Sequence, residues 1–289
     1  MIMISYPELL SWFSVHARAL PWREPSTTAW GVLVSEVMSQ QTPVARVAPQ
    51  WEEWMEKWPT PAHFARASKA EVLRAWGKLG YPRRALRLHE CAGVIVEEHD
   101  GEVPCDIAKL LALPGIGDYT ARAVASFHFG INVPVVDTNV RRVYARAMEA
   151  TFLPPAPSKK ELAKVAEITP SPRVAVALME LGALVCTAKN PQCEVCPLLN
   201  TCAWQAAGCP APHPDELAAA KKKVQKFAGT DRQVRGLLLD VLRANPLPVT
   251  KEQLDVVWPD AAQRSRALYS LVDDGLAVQN DAGLFHLPH

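Results

Sequence analysis

Four cysteines crowd one short stretch of the chain, Cys186-x6-Cys193-x2-Cys196-x5-Cys202. Four thiolates are a soft donor set that suits either tetrahedral zinc or a [4Fe–4S] cluster. Zinc sites tend to use two close pairs, and only Cys193 and Cys196 are paired here. The wider stand of Cys186 and Cys202 fits better around a larger cubane, although spacing alone leaves both metals open. The chain has seven cysteines and no visible export signal, which argues against a disulfide framework. Cys91, Cys105 and Cys209 read as ordinary small apolar residues, with Cys209 a weak alternative ligand.

Two carboxylates stand out for their settings. Glu36 lies within the apolar run Trp30–Met38, where burial would disfavour its charged form and raise its pKa, as a general acid requires. The plain alternative is a helix carboxylate facing solvent. Asp137 falls just before a helical stripe of Val140, Val143, Tyr144 and Ala147, a position where aspartate commonly caps a helix. Between them, Leu113-Pro114-Gly115-Ile116-Gly117 joins two short amphipathic segments. Gly115 and Gly117 let the backbone approach another molecule closely, and the free N–H groups that open the next helix suit a phosphate. A contact of that kind positions a nucleic acid without reading its sequence.

The elements that must hold these groups are helices. Apolar residues recur at helical spacing up to residue 205, and strand-length alternation is absent. Trp30, Leu33, Val34, Val37 and Met38 form one stripe with Ala29 and Val32 beside it, as in a buried helix. Ile107, Leu110 and Leu111 make a short stripe before the Pro-Gly turn, and Thr120, Ala123, Val124 and Phe127 line the segment after it. The fold class expected is therefore all-α. Residues 206–230, with several prolines and the run Lys221-Lys222-Lys223 and Lys226, read as a linker. Beyond it, Val234, Leu237, Leu238, Val241 and Leu242 mark one helix, and Thr250-Lys251-Glu252-Gln253 opens a second as a capping box. Asp260 caps a third, carrying Leu268, Leu271 and Val272. Leu276–Gln279 and Leu284–Leu287 then form a hairpin through Asn280-Asp281-Ala282-Gly283. Three helices and a hairpin over 231–289 outline a winged helix.

Composition agrees with a globular chain of two domains: 289 residues, 49% hydrophobic and 21% charged. With 31 basic against 30 acidic side chains, bulk charge draws no polyanion, and a nucleic acid would have to meet local basic patches. No apolar run approaches the ~20 residues that cross a bilayer. No secretory signal is visible, so a cytosolic, nucleoid-associated location is expected.

The hairpin resembles the helix-hairpin-helix of the DNA glycosylase superfamily that includes endonuclease III and MutY. Val135-Val136-Asp137-Thr138-Asn139-Val140 is similar to its aspartate segment, and the cysteine spacing is similar to its iron–sulfur loop. Leu20-Pro21-Trp22-Arg23 and Ser35-Glu36-Val37-Met38-Ser39-Gln40-Gln41-Thr42 resemble the MutY branch, the adenine DNA glycosylases. The likeness spans roughly residues 5–205. It implies a glycosylase domain over 1–205 built of two helical subdomains, with a [4Fe–4S] cluster held by Cys186, Cys193, Cys196 and Cys202. It implies that Glu36 protonates the departing adenine and that Asp137 steadies the sugar cation, with Asn139 and Tyr119 as helpers. Gln41 and Tyr81 resemble the intercalating side chains; Leu20, Trp22 and Arg23 match residues lining the adenine pocket; Gly115 and Gly117 would meet the DNA backbone. The implied partner is double-stranded DNA carrying adenine opposite 8-oxoguanine or guanine, bound by a monomer, with no membrane.

One branch-distinguishing position and three departures qualify this. Tyr119 stands where endonuclease III-like lyases carry a nucleophilic lysine, so a monofunctional enzyme using water is expected. Val176 occupies the position, ten residues before the first cluster cysteine, where the family contacts adenine through Gln or Glu, and Pro82 replaces a second tyrosine beside Tyr81. The end of the chain lacks the strand content of the MutT-like domain that senses 8-oxoguanine. Its third helix instead offers Gln263, Arg264 and Arg266 either to a DNA backbone or to solvent. The alternatives are a bifunctional lyase, which Tyr119 opposes, and an iron–sulfur regulator, which leaves Glu36 and Gln40-Gln41-Thr42 unexplained.

Overall fold

A computed structural model describes residues 4–154, 156–158, 160–212, 214, 217 and 227–289. The lysine run of the linker lies outside the described residues. In chain order the helices are α1 (Tyr6–His16), α2 (Ala29–Ser39), α3 (Val44–Lys57), α4 (Pro61–Ala65), α5 (Lys69–Trp76), α6 (Arg83–Glu98), α7 (Ile107–Ala112) and α8 (Asp118–Phe127). They continue as α9 (Thr138–Glu149), α10 (Glu161–Ile168), α11 (Pro172–Leu184) and the short α12 (Ala203–Ala206). After the linker come α13 (Asp231–Ala244), α14 (Lys251–Asp255) and α15 (Ala261–Asp273), then the two-stranded β1 (Val278–Gln279) and β2 (Phe285–His286). No helix among the described residues is long and apolar enough to cross a membrane.

The chain divides into two compact units. One is drawn from residues 1–32, 105–111 and 116–223, the other from 33–104, 112–115 and 224–289. In the first, Val174, Ala177, Leu178 and Leu181 recur at three- and four-residue steps along α11 and pack with Val140, Val143 and Ala147 of α9 and Leu9 of α1. Local chemistry starts both central helices. Ser171 accepts from the Val174 N–H with Pro172 in the first turn, and the Asp137 carboxylate accepts from the Asn139 and Val140 N–H groups.

In the second unit, Trp54, Trp58, Phe64 and Trp76 form an aromatic knot with ring centroids 5.0–5.5 Å apart. Ser68 and Glu71 close a capping box at the start of α5. The expected three C-terminal helices and hairpin are present. Thr250 and Gln253 form the capping box, Asp260 caps α15, and Val278 pairs His286 antiparallel. This C-terminal body closes around Leu238, Leu268, Leu271 and Phe285, and Leu73 of α5 is buried in the same cluster. Arg243 Nε donates to the Leu73 carbonyl at 3.0 Å, and Arg74 returns bonds to the carbonyls of Arg243 and Asn245.

Two expectations change. Leu111 is exposed, because α7 is a six-residue helix that buries only Leu110. Arg264 is not offered to solvent or DNA: it turns inward, bonding Asp255 at 2.7 Å and the Trp258 carbonyl. Arg266 is taken up by Asp231 and Gln263 by Trp258 and Asp231.

Candidate active site

Asp137 is held by the first turn of its own helix. Its Oδ1 accepts the Asn139 N–H at 2.9 Å and the Val140 N–H at 2.7 Å, and its Oδ2 accepts Asn139 Nδ2 at 2.7 Å. Arg142, one turn on, fixes the amide of Asn139 from behind: Nη2 donates to Asn139 Oδ1 at 2.7 Å and to the Gly182 carbonyl at 2.5 Å, and Nε to the Cys186 carbonyl at 2.6 Å. Burial pushes the Asp137 carboxyl above the usual aspartate value, against the pull of these hydrogen bonds and of the Arg142 charge. A chain of polar contacts thus runs from the carboxylate to the residue that opens the cysteine loop.

Gly182 is what lets α11 come this close. A Cβ there would stand 2.7 Å from Asn139 Cβ and 2.8 Å from its carbonyl oxygen, distances that backbone cannot relieve by turning a side chain. Gly182→Ala is expected to cost about 1–3 kcal/mol of stability, as overpacking does, and to slow base release further by moving Asn139. Thermal melting and single-turnover rates on one preparation check this; an alanine variant with native values of both refutes it.

Arg23, one of the residues matched to the adenine pocket, bonds a second anchored carboxylate. Glu180 of α11 is 0% exposed and bridges Arg18 (Nε to Oε1, 2.8 Å; Nη2 to Oε2, 2.8 Å) and Arg23 (Nη2 to Oε2, 2.8 Å). Burial alone would raise its pKa, but the side-chain bonds from Arg18 and Arg23 and the Arg18 backbone N–H hold it down at about 2. The pair therefore stays ionised and locks the segment carrying Leu20, Trp22 and Arg23. Leu20 is buried; Trp22 and Arg23 keep part of their surface. Val176, one helical turn before Glu180, is half-buried and brings no hydrogen-bonding group.

Tyr119 and Gly117 lie at the start of α8, with Gly117 as its N-cap and Asp118 paired to Arg122 at 2.9 Å. Gly115 has φ +77°, and a Cβ there would sit 2.9 Å from Arg87 Cβ, so the turn needs glycine twice over. A Cβ at Gly117 would meet nothing within 4 Å, leaving that face of the turn open.

In the second unit Glu36 is a half-buried side chain on α2, flanked by the buried Ser35 and Val37. Gln41 and Tyr81 stand exposed on separate turns, Tyr81 with 48% of its surface accessible.

The four cysteines of the loop line one small pocket together with Arg146, Val185 and Trp204. Arg146 is 1% exposed; its Nη1 reaches Cys186 Sγ at 3.4 Å and the Thr187 carbonyl at 2.7 Å, and its guanidinium lies over Phe152. Burial raises the thiols of Cys186 and Cys193 and pushes Cys196 up to about 12. Such thiols ionise when a positive metal centre takes the proton's place. Four sulfurs around a single apolar pocket, with a buried cation against one of them, suit a cluster of net negative charge. Cys91 is buried and Cys105 and Cys209 are exposed.

Arg142, Glu180, Arg146 and Arg84 (below) are the structural residues that motif reading misses. The Arg18–Glu180 contact joins positions 162 apart, and the sequence signal is an acid inside the apolar run that follows Arg173 in α11.

Comparison with known proteins agrees with this geometry. The family described as HhH-GPD superfamily base excision DNA repair protein matches residues 34–170, and the iron–sulfur binding domain of endonuclease III matches residues 186–202. The adenine DNA glycosylase of Mycolicibacterium smegmatis is 57% identical, over 98% of this chain and 96% of its own. Among solved structures, a thermostable thymine-DNA glycosylase superposes with a TM-score of 0.63 at 25% identity, over 70% of this chain and 94% of that one. A non-covalent endonuclease III–DNA complex gives 0.59 at 26% identity, over 70% and 94%.

Proposed function

We propose, for a chain that belongs to the HhH-GPD superfamily of base excision DNA repair proteins and within it to the adenine DNA glycosylases, that Glu36 and Asp137 divide the hydrolysis of the N-glycosidic bond between them. The protein removes adenine from DNA in base excision repair and carries a [4Fe–4S] cluster. A base inside a duplex is out of reach and must be turned out of the stack, at a cost of a few kcal/mol. Gln41 and Tyr81 fill the space it leaves, and Leu20, Trp22 and Arg23 line the pocket that receives it. Glu36 gives its proton to a ring nitrogen of the base. The electron pair of the C1′–N9 bond then leaves with adenine, and positive charge develops on the sugar. The Asp137 carboxylate faces that charge, water adds its oxygen at C1′, and the water's proton returns to solvent or to the carboxylate that lost one. This is the division of labour between two carboxyl groups that glycosidases use.

One observation carries the reading: both oxygens of the Asp137 carboxyl are held by the first turn of its own helix, and the Asn139 amide that holds one of them is fixed in turn by Arg142. A charge fixed before the reaction needs no reorganisation when the cation forms. Tyr119 brings a phenol where an amine would be needed for a Schiff base, so strand cleavage does not follow base release. Cys186, Cys193, Cys196 and Cys202 would hold the cluster, which would supply a cross-link that shapes the loop; Lys189 on that loop would meet the DNA backbone, as Gly115 and Gly117 would at the hairpin. The protein acts as a monomer on the nucleoid, with residues 231–289 as a winged-helix-like body following the linker.

The opposite base is 8-oxoguanine or guanine. Duplexes carrying adenine opposite 8-oxoguanine, guanine or cytosine, scored for alkali-labile sites, test this. Release opposite the first two and none opposite cytosine is expected. Equal release opposite cytosine, or strand breaks without alkali together with a borohydride-trapped adduct, overturns it in favour of a different substrate or of a lyase.

A further inference from the structure

Two exposed residues share an unusual backbone. Gln41 has φ +56° and Tyr81 φ +48°, the left-handed region that side chains with a Cβ rarely enter. Both stand on tight turns, and a single guanidinium reaches both turns. Arg84 Nη1 donates to the carbonyls of Val37 (2.8 Å), Met38 (3.1 Å) and Gln40 (2.6 Å), which end α2 and lead into Gln41. Its Nη2 donates to the carbonyls of Gly80 (3.0 Å) and Leu79 (3.4 Å), just before Tyr81, and to Thr42 Oγ1 (3.1 Å), just after Gln41. Thr42 Oγ1 itself donates to the Leu79 carbonyl at 3.2 Å, and Trp76 Nε1 to the Gly80 carbonyl at 2.9 Å. The guanidinium lies 5.0 Å from the Trp76 ring centre and 5.7 Å from that of Tyr81.

This arrangement costs stability as well as contributing to it. Burial brings the Arg84 pKa down to about 10, and its buried Nε–H meets no acceptor among the described residues. An unmet buried donor is itself destabilising. An apolar filler would avoid both penalties, but it could not hold carbonyls of two separate turns in a fixed mutual position.

We propose that Arg84 is a positioning residue that locks the Gln41 and Tyr81 turns together, so that the two side chains enter the duplex as one rigid wedge. The proposal rests on the reading of Gln41 and Tyr81 as the residues that fill the stack. Arg84 touches neither base nor sugar; it acts through the turns. Because the fork of its guanidinium matches two sets of acceptors, a lysine keeps the charge but not the bridge.

The test compares the full-length, cluster-bearing protein with Arg84→Met, Arg84→Lys and the wedge-less Gln41→Ala/Tyr81→Ala, alone and combined with Arg84→Met. The substrate is a duplex with 2-aminopurine opposite 8-oxoguanine, whose fluorescence rises when the base leaves the stack, with adenine in its place for base release. Burst amplitude counts folded enzyme, and the rate constant reads positioning. Arg84→Met is expected to slow extrusion and single-turnover release by roughly 10²-fold, the scale of a ~1 Å misplacement, with iron–sulfur absorbance retained. Arg84→Lys recovers part of that loss and serves in place of the methionine variant should that one fold poorly. In the wedge-less background Arg84→Met is expected to slow nothing further. An equal slowing with and without the wedge residues, or a loss confined to burst amplitude, overturns the proposal and leaves Arg84 a structural residue. Native-speed extrusion by the wedge-less protein instead removes the wedge reading itself, and the proposal with it.

Discussion

Asp137→Asn is expected to reduce single-turnover adenine release by about 10²–10³-fold, the scale set by removing one preorganised electrostatic group, while the protein melts within a few degrees of native. The side-chain geometry explains why the two effects separate. An asparagine Oδ1 still accepts the Asn139 and Val140 N–H groups, so the cap on α9 survives. The new Nδ2 faces Asn139 Nδ2, donor against donor, where 2.7 Å now separates donor from acceptor. Against that loss stands a gain. Burial holds the folded pKa of Asp137 above its unfolded value, so the folded state grips the proton more tightly. Between the ordinary aspartate value and the raised one, the fold therefore loses stability as pH rises, and above the raised value the ionised carboxylate is a burden that the amide removes. The rate moves the opposite way. Release by the native protein declines as pH falls through the raised pKa and the anion is protonated, and this acid limb disappears in Asp137→Asn. Rate profiles and melting curves across that range check both statements. A variant with native turnover, or one whose rate falls only as its folded fraction does, defeats the assignment.

Glu36→Gln should remove a comparable or larger share of the rate, about 10²–10⁴-fold, because the amide matches the carboxyl in shape and cannot give up a proton as an acid does. Affinity for the mispaired duplex is expected to stay within a few-fold of native, since Gln41, Tyr81 and the hairpin are untouched. The sharper readout is the leaving group. An adenine analogue that departs without protonation restores much of the lost rate in Glu36→Gln, while Asp137→Asn gains nothing comparable from it. Equal rescue of both variants would show that neither carboxylate has the separate role given to it.

The parts of this protein that were legible in its sequence are those whose physics is local. Asp137 caps α9 through N–H groups two and three residues ahead, so the rigid hold on its carboxyl is contained in Asp137-Thr138-Asn139-Val140. The capping box at Thr250, the Asp260 cap and the hairpin register follow from equally short patterns. The cysteine spacing likewise announces a metal centre within seventeen residues. Hidden from the sequence were the long-range polar anchors. Nothing in the string Val174–Leu184 says that Glu180 will be neutralised by Arg18 and Arg23, or that Arg84 will close on carbonyls more than forty positions away. Arg264 misleads for the same reason: a charged residue on a surface-like helix reads as solvated until Asp255 is seen beneath it. Apolar periodicity finds helix faces, whereas paired buried charges leave no period to find.

Leu73 sits in the C-terminal core, and the backbones of α5 and α13 are laced by Arg74 and Arg243. The tail is consequently part of the same core as α5 and not a detachable appendage. A frameshift or premature stop beyond the linker would bare an oily face on the very segment that leads to Tyr81, and the truncated product would meet the cell's proteases before it met DNA. Any lineage that swaps this ending for another must also redesign the outer surface of α5, so the two stretches are bound to drift in concert.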